Sequence, residues 1–404
     1  MFAGREKELR EFFRQMEEKR IFYFLLSNFE DFDDSHGDID IFVSPQDKVS
    51  FLFLLERNGW LERREPPNLF FHNFFYKIMD DCLICLDVRF ELSFGLSEKS
   101  FWQLKNEERV INSIVRNNGS GYRPKGLGAI LLYLIHIIEE KKITEERHFR
   151  KLEKYLDIYG REIDKREEDE FKKVKNLIKR RDWGKIITEY FKKRKDEVFD
   201  KDKKRRSGLG FCLLFLGTNG SGKTTLINQI TKSLNFKISK LYLGQKDWAL
   251  KFVGGLYSKG GDIPVLNLLN IYFFYPLDLL LRVFRVRRFS KFRLVLIDRI
   301  PGFAFLGNKI ILSIYKVVMP KIDLVILLDG SPEKIWERKK EHSLEKVKAD
   351  MLKWRKVADR LPSPKLIVDT TSNSPEESAA IVIREIFKSD IFLSRLFKPI
   401  DIKE

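Results

Sequence analysis

Cysteine is scarce. Three in 404 residues are too few for a disulfide framework, so a reducing, cytoplasmic setting is expected. A secretory core is lacking too, because MFAGREKELREFFRQ carries charge at helical spacing and no apolar run. Nor is there an uninterrupted hydrophobic stretch of bilayer length. The most apolar segment, Ile263 to Leu281, is broken by Asn267, Asn270, Pro276 and Asp278, and Arg282, Arg285, Arg287 and Arg288 follow. Polar groups are costly at mid-bilayer, so this segment reads as buried helix and no membrane span is expected. Internal repeats and low-complexity segments are missing as well.

What is present is positive charge and enough apolar residue for a core. Lys and Arg number 76 against 59 Asp and Glu, a net charge of +17 that attracts nucleotides, nucleic acid or acidic membrane surfaces without choosing among them. With 43% hydrophobic and 33% charged residues, the length suits two or three folded domains.

Residues 1–123 alternate short apolar runs with turns. Ile21 to Leu26 and Ile39 to Val43 read as strands, and Ser44-Pro45 opens a helix reaching Arg57, with Gly59 as its stop. Phe70 to Met79 and Cys82 to Leu92 read as a hairpin turning at Asp80-Asp81. The expectation is an α+β domain. In residues 124–206 the period becomes helical, which suggests a connector ending in the basic run Lys192 to Arg206. Asp196, Glu197, Asp200 and Asp202 interrupt that run, so it reads as a solvated helix face and linker rather than a nucleic-acid tail. Residues 207–404 alternate strand and helix. Phe211 to Leu216, Leu294 to Ile297, Leu324 to Leu328 and Leu366 to Val368 predict an α/β domain with a parallel sheet.

The sharpest motif is Gly217-Thr-Asn219-Gly220-Ser221-Gly222-Lys223-Thr224, which fits G-x-x-x-x-G-K-[ST]. It follows an apolar strand and opens a helix from Thr225, the setting in which backbone N–H groups wrap a phosphate. Lys223 is expected to reach the β- and γ-phosphates of ATP, and Thr224 to hold Mg²⁺. Asp298 ends the Leu294 to Ile297 strand and is the expected carboxylate for that metal. Arg299, next in sequence, has the planar fork that clamps phosphate.

On these residues the C-terminal half, roughly 209–390, resembles the thymidylate kinase family of P-loop nucleoside monophosphate kinases. FLGTNGSGKTT is similar to that family's phosphate loop, with Asn219 where Asp is frequent, and VLIDRIP to its Asp-Arg strand end. PKIDLVILLDGSPEKIWERK resembles the strand and helix leading into its lid, and KLIVDTTSNSPEE its last strand and adenine-side loop. The resemblance implies a Mg²⁺-dependent transfer of the ATP γ-phosphoryl group, with Asp298 and Arg299 between the two substrates and Arg338 on the lid. Lys339 and Lys340 read equally well as a solvated face. Where the family binds its acceptor, this sequence departs: LYLGQKDWALKF and IPGFAFLGNK replace the usual stretches. The acceptor is therefore a nucleoside monophosphate or another small molecule. A homodimer would also be in keeping with that family.

A second motif lies in the first domain. Gly37-Asp38-Ile39-Asp40 sets two carboxylates at i and i+2 on one strand face, and Asp87 falls in the following hairpin. Paired carboxylates repel unless they share a cation, which makes Asp38, Asp40 and Asp87 candidate metal ligands. The segment 20–120 resembles the nucleotidyltransferase superfamily, although Ser27-Asn28 stands where Gly-Ser is expected. The resemblance implies nucleotidyl transfer, either beside the kinase activity or as the main reaction with the P-loop domain as an ATP sensor, or a metal- or nucleotide-binding domain that has lost it; the plain alternative is aspartates of turns that fall together by coincidence. An ATP-gated regulator that binds nucleic acid through the basic surface is the reading of another class. Cys82-x-x-Cys85 has no second cysteine pair and reads as core rather than zinc site, and His36 as a turn residue.

Overall fold

The computed structural model describes residues 3–26, 38–64, 72–79, 83–97, 100–116, 121–137, 146–194, 210–234, 238–244, 275–290, 293–300 and 321–402. These fall into two compact units, one holding the described residues up to 194 together with 397–402, the other holding 210–396.

The first unit opens with the helix Ala3–Glu18, then β1 (Tyr23–Leu25) and β2 (Ile39–Val43) pair antiparallel. Ser44 caps the next turn by accepting from the Gln46 N–H, and the helix Lys48–Arg57 ends before Gly59, whose φ of +71° favours glycine. β3 (Leu61–Arg63), β4 (Asn73–Ile78) and β5 (Leu83–Arg89) follow, with β4 and β5 antiparallel as the apolar runs predict. The turn expected at Asp80-Asp81 lies outside the described residues. β2 pairs parallel to β5, which sets Asp40 directly opposite Asp87.

β6 (Ser93–Ser97) and β7 (Ser100–Leu104) form a second, small sheet, and β8 (Ile114–Arg116) pairs with β9 (Tyr122–Pro124). The helix Gly126–Ile135 is buried along its whole length, and it shares one core with Phe12, Tyr23, Phe51 and Leu86. A helix apolar on every face needs cover on every side, so this part of the expected connector is core of the first unit. Helices Glu146–Tyr159, Glu168–Lys179 and Trp183–Tyr190 follow, and β10 (Phe191–Arg194) returns to pair with β7.

In the second unit, β11 (Phe211–Leu216), β12 (Ile238–Tyr242), β13 (Leu294–Asp298), β14 (Leu324–Asp329) and β15 (Lys365–Asp369) form an all-parallel sheet ordered β12-β13-β11-β14-β15. β11 and β13 are buried on both faces, consistent with their unbroken apolar sequences. From β11 the chain builds the sheet first to one side and then to the other. The crevice beyond the carboxyl ends at such a switch point is where open α/β sheets hold ligands. Asp323 anchors the core strand at its start, accepting from the Cys212 N–H and from Arg395, each at 2.8 Å.

The apolar segment around residue 275 is described from Tyr275, where it is the helix Tyr275–Phe289. Its Asp278 and Arg282 form a buried pair at 2.9 Å. Among the described residues no helix is long and apolar enough to cross a membrane. After the helices Pro375–Phe387 and Asp390–Leu396, β16 (Phe397–Lys398) pairs antiparallel with β3, and the Phe397 carbonyl accepts from Arg64 at 2.8 Å. Residues 397–402 therefore complete the mixed sheet β1-β2-β5-β4-β3-β16. Two paired residues carry no periodicity, and nothing in the sequence marks that return.

Candidate functional site

The loop after β11 has the shape its glycines permit. Gly220 and Gly222 sit at φ +85° and +84°, and a side chain at 220 would stand 2.8 Å from the Ile335 carbonyl. Both positions thus require glycine. Lys223 opens the helix Lys223–Ser233 and is only 5% exposed. Its Nζ donates to the carbonyls of Gly217 at 2.8 Å and Thr218 at 2.6 Å, and to Ser221 Oγ at 3.3 Å. Burial, then the neighbouring Arg299 cation, pushes the amine down to about 7, with Asp298 pulling the other way and Lys339 adding to the depression.

Asp298 and Arg299 follow directly from the end of β13. The Arg299 N–H donates to the Phe215 carbonyl at 3.1 Å, which fixes the strand end beside the loop. Its backbone has φ +66°, and its guanidinium donates to Asn219 Oδ1. Burial raises the Asp298 carboxyl, against the pull of Lys223 and Arg299, and Asp298 Oδ1 has no hydrogen-bond partner. Asp298 and Thr224 line the same cavity of about 810 Å³. Hard oxygen donors of this kind suit Mg²⁺, and the residues fit it.

The lid helix and the loop after β15 both border the phosphate loop: the Ile335 carbonyl stands against Gly220, and Thr370 Oγ1 donates to the Ser221 carbonyl at 3.0 Å. Ser331 caps the helix Pro332–Arg338, and Arg338 donates to the Thr370 carbonyl at 2.7 Å. Lys339 pairs with Glu341 at 3.0 Å, and Asn219 Nδ2 donates to Glu341 Oε2 at 3.4 Å, so the lid turn is tied to the phosphate loop. Lys340 lies over the Trp336 ring instead. Asp369 accepts from the N–H groups of Thr371 and Ser372 and from both hydroxyls, which holds its carboxyl down at about 2. The loop that follows, with Asn373 donating to the Asp369 carbonyl at 2.8 Å, is rigidly wired.

The structure thus brings Gly220, Gly222, Lys223, Thr224, Thr225, Asn219, Asp298, Arg299 and Arg338 to one cavity. Tyr242, Thr370, Asn373 and Ser378 line it too and were not singled out in the sequence, and so does Lys339, which read equally well there as a solvated face. Lys339 acts on the Lys223 amine, whereas Arg338 is turned to the Thr370 carbonyl. The two residues are adjacent, and helical spacing alone does not tell which one faces the loop. Tyr242 ends β12, where Arg282 donates to its carbonyl at 3.3 Å and to the Gly244 carbonyl at 2.7 Å. Of the two stretches that depart from the family on the acceptor side, 241–252 and 300–309, residues 245–252 and 301–309 lie outside the described residues.

In the first unit, Asp38, Asp40 and Asp87 are electrostatic neighbours. Burial, then Asp40 and Asp87, pushes the Asp38 carboxyl up to about 7. His72 Nδ1 hydrogen-bonds Asp87 Oδ2 at 2.7 Å, an arrangement the sequence did not suggest, and Asp87 Oδ1 is buried without a partner. Among the described residues no three His, Cys, Asp or Glu side chains come together to hold one metal ion. Ser27, Asn28, His36 and Cys82 lie outside the described residues. Cys85 and Cys212 are buried free thiols, and burial raises Cys212 to about 12.

No protein-family profile matches the chain, and no curated protein matches it. Among solved structures, a deoxyadenosine kinase from M. mycoides, with dCMP and a flexible dCDP bound as products, is 17% identical at TM-score 0.30, covering 44% of this chain and 100% of that one. The same enzyme with bound dATP is 16% identical at TM-score 0.29, covering 43% and 98%. A thymidylate kinase from Ehrlichia chaffeensis is 15% identical at TM-score 0.30, covering 44% and 97%. Likeness at that level transfers no activity.

One pH effect follows from the loop itself. With Lys223 near 7, the amine is mostly neutral at pH 8.5, and a polyphosphate arriving beside it favours the charged form. Binding of ATP at pH 8.5 is therefore expected to take up as much as one proton. That uptake should vanish below about pH 6, where the amine is already charged. Calorimetry in buffers of different ionisation enthalpy reads the uptake, and an unchanged uptake in Lys223→Ala would assign it elsewhere.

Proposed function

We propose that the second unit is an ATP- and Mg²⁺-dependent phosphotransferase that moves the γ-phosphoryl group to a small acceptor, most simply a nucleoside monophosphate. The observation carrying this reading is the single cavity in which the buried Lys223 amine, the Asp298-Arg299 strand end and the lid cation Lys339 converge. Such an arrangement supports transfer by positioning and charge neutralisation, with no covalent intermediate on the protein.

In this reading the loop N–H groups seat the donor phosphates and Lys223 offsets their charge. Arg299 orients the group in flight, tethered through Asn219 to the loop. Lys339 brings a cation from the lid side, and the lid helix shields the centre from water. Thr224 and Asp298 would hold Mg²⁺, which when bound neutralises the donor's phosphate charge. The test is ADP release from ATP and Mg²⁺ with a panel of nucleoside monophosphates, nucleosides, sugars and polyols. Stimulation by one acceptor, lost in Lys223→Ala, supports the reading and names the substrate. A panel without any stimulation sinks it.

A second reading concerns the first unit and is favoured by the buried, unpartnered Asp87 oxygen beside Asp40. There, nucleotidyl transfer would be a separate activity. Pyrophosphate release that survives Lys223→Ala but is lost in Asp87→Asn would support it, and its absence with every nucleoside triphosphate would remove it.

A further inference from the structure

We infer that Arg282 is a positioning residue: from within the helix Tyr275–Phe289 it fixes the end of β12, so that Tyr242 meets the phosphoryl acceptor beside Asp298. This deepens the kinase reading and rests on it. The helix buries two charges, Asp278 completely and Arg282 at 6% exposure, while its Leu277, Leu280, Leu281 and Phe284 are exposed. A buried ion pair is a poor source of stability, because desolvating both charges offsets their attraction. What the pair touches gives another reason for it. Arg282 Nη1 donates to the Gly244 carbonyl at 2.7 Å and to the Tyr242 carbonyl at 3.3 Å, and Asp278 balances its charge at 2.9 Å. On the inner side of β12, the Leu243 N–H donates to the Asp298 carbonyl at 3.2 Å. Among the described residues no strand lies beyond β12, so for the two outward carbonyls the guanidinium stands in for one.

The residue this clamp places is Tyr242. It pairs in register with Asp298 on the adjacent strand and lines the same cavity as Lys223 and Arg299. Its ring lies against Gly244, where a Cβ would stand 2.3 Å from the phenol oxygen, so the missing side chain leaves room for the ring. The order of the strands gives the ring its task. In the kinase reading the donor phosphates sit on the loop after β11. Asp298 and Arg299 follow at the end of the neighbouring β13, and Tyr242 ends β12 beyond them. An acceptor that reaches the phosphates past Asp298-Arg299 comes against Tyr242, which offers a packing face and a hydroxyl.

The test compares the full chain as wild type, Asp278→Leu/Arg282→Met, Gly244→Ala and Lys223→Ala. Acceptor-stimulated ADP release is measured with AMP, GMP, CMP, UMP and dTMP, and ATP binding by calorimetry. The double variant replaces the pair by apolar side chains, so thermal unfolding should be unchanged or higher. With the monophosphate that stimulates wild type, its kcat/KM should fall about ten- to a hundredfold, while ATP affinity stays within about twofold. Gly244→Ala keeps the pair but displaces the ring, and should show the same split. If either folded variant uses the acceptor as wild type does, or loses ATP affinity in step with it, the inference falls. Lys223→Ala separates the two layers. Stimulation in wild type that this variant abolishes upholds the kinase reading whatever the Arg282 result, and no stimulation in wild type overturns both.

Discussion

Replacing Lys223 with alanine is expected to lower acceptor-stimulated ADP release by about a thousandfold or more, since a preorganised cation at the transferring phosphoryl group acts in a site with little water to screen it. The effect should fall on kcat as well as on ATP affinity, because phosphate charge is redistributed towards the transition state. Lys223→Met, which keeps most of the stem, separates loss of charge from loss of packing, and both variants should be equally inactive. Stopped-time assays with the acceptor found in the panel measure the loss. Residual activity above about a tenth of wild type in Lys223→Met would show that the amine is not part of the chemistry.

The second large effect is expected at Asp298. Asp298→Asn keeps the size and the backbone bond by which the Asp298 carbonyl accepts from the Leu243 N–H at 3.2 Å. It removes the charge that faces Lys223 and Arg299, carried by a carboxylate whose Oδ1 has no hydrogen-bond partner. A fall in kcat of about a hundredfold is expected, together with a higher Mg²⁺ requirement, while chemical denaturation stays close to wild type. If activity fell without any change in the Mg²⁺ dependence, Asp298 would be acting on the substrate rather than on the metal.

The core of the second unit was legible from the sequence because its information is local. Phe211 to Leu216, the glycines at 217, 220 and 222, and Lys223 sit in one continuous stretch whose spacing dictates its shape. Asp298-Arg299 was legible for a similar reason, as the polar end of an apolar strand. What escaped depends on distant chain. Lys339 and Arg338 differ by one position, and only the Thr370 carbonyl and the lid turn decide which group each faces. His72 meets Asp87 only through the pairing of β4 with β5. The helix Gly126–Ile135 betrayed its apolarity but not its partners, which include Phe12 and Leu86.

Arg299 carries a conflict between folding and chemistry. Its left-handed backbone, φ +66°, is one that a side chain disfavours by about 1 kcal/mol relative to glycine. Glycine there would relax the turn after β13 and delete the guanidinium in the same stroke. In a library varied at this codon, survivors of heating should therefore drift towards glycine or asparagine, while survivors of a growth selection for the product of the proposed transfer should keep arginine. The two screens would part company at this residue, which makes it a marker for whether the second unit is maintained for its catalysis or only for its fold.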